Sequence, residues 1–169
     1  MMPRPVLWLL PLLLGAAACA ADPAASAPSG DSGPALLPAL AANGVRAAVI
    51  TGPEGALALR LDVQGEAVGS VQGMLTFDPA VLAVSQVVPV TGAYTAINAD
   101  DLSAGRVRFA SFSSGALPGG NLFELKGEAR GSLTRAAVRV HLEAAGNLEG
   151  RALEQARLHG TEGVFRVDP

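Results

Sequence analysis

The chain has 169 residues, half of them hydrophobic and 16% charged, with a formal net charge of −3. Without a run of basic residues it offers no electrostatic footprint for nucleic acid or for an anionic membrane surface. Its single cysteine excludes an intramolecular disulfide or a thiolate metal cluster within one chain.

Arg4 gives a short positive start, Val6 to Leu14 is apolar apart from Pro11, and Gly15-Ala16-Ala17-Ala18 leads directly into Cys19. The apolar run is too short to span a bilayer and has the layout of an export signal. Small residues running into a lone cysteine resemble a lipoprotein signal peptide. That resemblance implies removal of residues 1–18 and attachment of diacylglycerol to the Cys19 thiol, anchoring an exported protein in the bacterial cell envelope. The alternative is an ordinary signal peptide cut at Ala16-Ala17-Ala18, which exports the protein without an anchor. Stable anchoring takes more than one acyl chain, at about 0.8 kcal/mol per buried methylene.

Residues 19–43 are rich in Ala, Pro, Ser and Gly and show no strand alternation. They read as a flexible tether on the order of 25–30 Å long. A short helical turn at Leu36, Leu37 and Leu40 is the alternative reading of its end.

From Gly44 to Pro169 the pattern changes to period two, which predicts strands with one face turned inward. About 125 residues remain for this region, enough for one domain with one core. Val45, Ala47 and Val49 form the first inward row and Leu57, Leu59, Leu61 and Val63 the second, with a turn at Gly52-Pro53-Glu54-Gly55. Val71, Gly73, Leu75 and Phe77 follow, then Val107 with Phe109, Phe123 with Leu125, and Val138, Val140 and Leu142. Arg106, Arg108, Glu124, Lys126, Arg139, His141 and Glu143 fall on outward positions. Met74 and Phe112 are out of phase with the inward rows and are expected on a sheet surface. Asp78-Pro79-Ala80-Val81 predicts one capped helical turn between strands. Alternation with one polar face, cut by glycine-rich turns, predicts an all-β antiparallel sandwich or jelly roll.

The stretch Gly69-Ser70-Val71-Gln72-Gly73-Met74-Leu75-Thr76-Phe77-Asp78-Pro79-Ala80-Val81-Leu82 resembles the cohesin signature, a strand ending in aromatic-Asp-Pro with a Leu three residues after the Pro. Gly105 to Phe109, Gly120 to Leu125 and Gly163 to Val167 are similar to later strands of that family, so the resemblance spans Val45 to Val167. It implies a jelly roll of about nine strands, related to carbohydrate-binding modules, whose usual partner is a calcium-loaded dockerin on another polypeptide. The dockerin-facing polar positions of the family fall on Ser70 and Gln72, where typical members carry Asn and Asp. Together with Met74, Arg106, Arg108 and Phe112 these make the candidate partner-binding face.

Other constellations are weak. Ser111, Ser113 and Ser114 lie outside any nucleophile elbow, and His141 and His159 have no evident partner, so no catalytic residue is assigned. Asn98, Asp100 and Asp101 supply oxygen ligands, but their spacing is not that of an EF-hand loop, and an Asx-rich turn explains them. No metal or cofactor is expected. Polysaccharide is the alternative ligand. Flat sugars are gripped by exposed aromatic rings, and once Trp8 leaves with the leader, Tyr94 is the one Tyr or Trp left for that contact.

Overall fold

The computed structural model describes residues 34–40, 42–52, 55–90, 93–133 and 137–167. Cys19, the leader and the tether as far as residue 33 lie outside them. Among the described residues ten strands form: β1 (Ala35–Leu36), β2 (Val45–Thr51), β3 (Leu57–Val63), β4 (Val68–Phe77), β5 (Leu82–Pro89), β6 (Tyr94–Asn98), β7 (Arg106–Phe112), β8 (Gly120–Ala129), β9 (Val138–Asn147) and β10 (Leu158–Arg166).

The strands build two facing layers. One runs β5-β8-β3-β2-β10 and the other β9-β4-β7-β6, with β1 added on β10. The layers meet where β10 touches β9 through Glu162 opposite Arg139, at the point where its register along β2 slips between Gly160 and Val164. Pairing is antiparallel throughout except for β10, which runs parallel to both β2 and β1. The expectation of purely antiparallel sheets is corrected at this position. First and last strands of a domain are joined by no short turn, so nothing forces them to run in opposite directions.

The predicted inward rows form the core. Leu59, Leu61, Leu75, Val107, Phe123, Val138 and Leu142 are all buried between the layers. Phe109 of β7 and Phe123 of β8 close the gap edge to face, with ring centroids 5.5 Å apart. One row departs from simple alternation. In β2 the residues between the core positions, Arg46, Ala48 and Ile50, are buried as well. Ala48 and Ile50 join Ala58 and Phe165 in a second apolar cluster on the outer side of this layer, and Leu37 and Val167 pack over it.

That cover comes from the end of the segment read as tether. Ala35–Leu36 pairs with Phe165 and Arg166, so the alternative of a helical turn at Leu36, Leu37 and Leu40 is overturned. The chain then crosses the sheet, held by a hydrogen bond from the Leu37 N–H to the Arg166 carbonyl (3.1 Å). A further bond runs from the Arg46 guanidinium to the Pro38 carbonyl. Arg46 and Arg60 both reach Asp62, each at 2.8 Å. The two guanidiniums hold the Asp62 carboxyl below its ordinary 3.8; burial alone would raise it, and the two hydrogen bonds with their charges outweigh that.

Two strands are absent from the alternation. β5 carries a register shift between Val84 and Gln86 that breaks its period. β6 is five residues without a charge, with polar residues on both faces. Between β4 and β5, the Leu82 N–H bonds to the Asp78 carbonyl (2.9 Å) and the Ala80 N–H to the Asp78 side chain (2.8 Å). This is the single capped turn expected there.

Candidate functional site

Because Val71, Gly73, Leu75 and Phe77 point into the core, Ser70, Gln72, Met74 and Thr76 of β4 face outward. β4 is central in its layer, paired with β7 on one side and β9 on the other. Cross-strand register therefore arranges the outer face in rows. Tyr94, Phe112, Ser70 and Gly146 form one; Ala96, Ala110, Gln72 and Ala144 the next; Asn98, Arg108, Met74 and His141 the third. Arg106, Thr76 and Arg139 complete a fourth.

The rows differ in chemistry. The Tyr94 and Phe112 rings pack with centroids 4.7 Å apart at 38°, while Tyr94 remains 65% and Phe112 52% exposed. Beside them Ala96, Ala110, Ala144 and Gly146 make a floor of small side chains with Gln72 standing in it. Two open depressions of about 290 and 340 Å³ share Gln72 and Ala110. Arg108 and Glu143 border the second from opposite sides. Arg106 pairs with Asp101 (3.5 Å) and Arg139 with Glu162 (3.1 Å), whereas Arg108 has no ion pair among the described residues.

Local features shape the face. At Gly73 an added Cβ would lie 2.4 Å from the His141 carbonyl oxygen and 2.9 Å from the Phe109 ring, so only glycine lets β4 and β9 approach this closely. The register shift there turns both Glu143 and Ala144 outward, between buried Leu142 and Ala145. Beneath the aromatic row, the Thr95 and Ser111 hydroxyls hydrogen-bond at 3.0 Å, which accounts for a serine that is 1% exposed.

The face thus contains Ser70, Gln72, Met74, Arg106, Arg108 and Phe112, and the candidate sugar contact Tyr94 lies beside Phe112 rather than apart from it. The sequence reading missed Ala96, Ala110, Ala144 and Gly146, since small residues carry neither apolar periodicity nor charge. The other polar residues do not converge. Ser113 accepts the Gly115 N–H, His141 stands beside Met74, and His159 lies on β10 opposite Arg46. Asn98 accepts the Asp100 N–H at 3.0 Å in an Asx turn, followed by a 3-10 turn over Leu102–Ala104.

At the level of sequence no family model matches the chain, and no curated protein does. Solved structures do match its fold. The OlpA cohesin of a type I cohesin–dockerin complex from Clostridium thermocellum superposes with a TM-score of 0.52 at 10% identity, covering 73% of this chain and 99% of that one. The sixth cohesin of scaffoldin B from Acetivibrio cellulolyticus, in complex with the Cel5 dockerin, gives 0.51 at 14% identity over 75% and 99%. The OlpC cohesin of a second C. thermocellum complex gives 0.51 at 11% identity over 77% and 99%. The domain is an all-β sandwich with the cohesin fold.

Proposed function

From a cohesin-like fold as premise, we propose that this chain is a non-catalytic binding module that recognises another protein, of dockerin type, through the outer face of β9-β4-β7-β6. One observation carries the reading. Of the two outer faces, one carries the chain's own residues 34–40 over β2 and β10, and the other presents, among the described residues, an exposed aromatic pair beside a floor of Ala and Gly. Exposed aromatics next to small residues suit a partner whose bulky side chains anchor on the rings and whose backbone comes close over the floor. The similar cohesins were solved in complex with dockerins, which supports the partner class.

The signal-like start ending at Cys19 supports export and lipid anchoring in the cell envelope, with residues 20–33 as tether. Residues 34–40 enter the domain over the covered layer, so the open face is unobstructed by this segment. Polysaccharide is the weaker ligand, because rings inclined at 38° form a wedge rather than a flat platform for sugar.

The test is capture on immobilised chain from envelope extract and from a panel of dockerins, with calcium and with chelator, comparing the unsubstituted chain with Gln72→Arg. Calcium-dependent capture of a dockerin-like protein, lost in Gln72→Arg at unchanged melting temperature, is the expected result. Equal capture by both would place the contact elsewhere. Retention on glycan instead, abolished by Tyr94→Ala, would move the assignment to sugar binding.

A further inference from the structure

The layers end in strand edges, and the fold treats these edges differently. β5 is interrupted by its register shift and closes on Pro89, two features that spoil a strand as a template. β6 has neither. It pairs with β7 without a register shift over Tyr94 to Asn98, contains no charge or proline, and forms the end of its layer. An uncharged edge of Tyr, Thr and Ile, whose outer N–H and C=O groups have no partner among the described residues, accepts another strand.

We propose that two copies of this chain pair through β6, antiparallel and symmetric about Ala96, to form one continuous sheet. In that register Tyr94 of one copy lies opposite Asn98 of the other, Thr95 opposite Ile97, and Ala96 opposite Ala96. Three features select a second copy as occupant. The five residues carry no charge, so self-pairing sets no like charges against each other. The residue on the two-fold axis is a small exposed alanine, which leaves both outer faces flush. The register also brings the exposed Tyr94–Phe112 pair of each copy alongside Asn98 and Arg108 of the other. Arg108 then lies one strand beyond the join, roughly 10 Å away between Cβ atoms, which two long side chains span. This guanidinium has no ion pair among the described residues, and the ring offers it a cation–π contact that symmetry supplies twice.

Two four-stranded layers become one of eight, and the two open faces lie side by side on the same surface. The pairing stands whether or not those faces bind a dockerin-type protein.

The experiment uses the full chain with Cys19→Ser to remove the native thiol, and Ala96→Cys added. A disulfide across the axis requires Cβ atoms about 3.5–4.5 Å apart. Mild oxidation is expected to give a covalent dimer of Ala96→Cys, several-fold less of it when Arg108→Ala is added, and none from Ala110→Cys, which shares the face one strand further in. Monomeric Ala96→Cys that elutes as a folded domain, or equal crosslinking of Ala96→Cys and Ala110→Cys, would overturn the proposal. So would sedimentation of the Cys19→Ser chain as a monomer at every concentration.

Discussion

Asp62 joins two arginines of the covered layer. Its carboxylate neutralises Arg46, whose side chain is 9% exposed and whose buried Nε has no partner among the described residues. Its pKa lies below 3.8 in the folded protein, so its stabilisation is complete above that value and is lost as pH falls through the depressed folded value. Asp62→Asn is expected to cost about 2–3 kcal/mol near neutral pH, with the gap to the unsubstituted chain closing under strong acid. Urea unfolding across the acid range measures both. Glycines set two further single-residue constraints. Gly105 ends the 3-10 turn at φ 69° with an added Cβ only 1.9 Å from the Phe77 carbonyl oxygen, and Gly73 is closed in by His141. Gly73→Ala is expected to lower stability by about 1–3 kcal/mol through overpacking and to disturb the Gln72 floor. A fall in melting temperature with altered amide shifts along β9 would show it.

Among the elements, the segment 34–40 that begins with β1 is held by few contacts. It contributes two paired residues, two further hydrogen bonds and the packing of Leu37 against the cluster of Ala48, Ile50, Ala58 and Phe165. Leu37 is half-buried, so Leu37→Ala is expected to cost about 1–2 kcal/mol, below the range for a fully buried leucine. It is also expected to open residues 34–40 to protease before the rest of the domain, which limited proteolysis followed by mass spectrometry detects. β4 shows the opposite balance. Ten residues long and paired on both sides, it carries its inward and outward rows with little freedom to slip, because a one-residue shift would turn Leu75 and Phe77 into solvent.

For the molecule as a whole, stability rests on the contact between layers, which the Phe109–Phe123 pair bridges from β7 to β8. Phe109→Ala and Phe123→Ala are each expected to cost about 3–5 kcal/mol. The double variant should lose less than the sum, since the second truncation removes a contact already gone. Denaturant unfolding of the four members of this cycle checks the coupling.

The layout from Val45 to Val167, the sandwich class and the outward set on β4 and β7 were readable in the sequence. Period two ties each side chain to a face, and the Gly69 to Leu82 stretch carries a recognisable strand and turn. What the tertiary structure decided depends on which strands lie side by side. Ala48 and Ile50 fall between the inward positions of β2 and are buried all the same in the cluster against which Leu37 packs, and Tyr94 joins Phe112 only through the β6–β7 register. Ala96, Ala110, Ala144 and Gly146 become a floor only when four strands distant in sequence are laid in register. Local pattern follows from the chemistry of neighbouring residues, whereas a binding face is made of residues brought together by long-range pairing, which leaves no periodic trace along the chain.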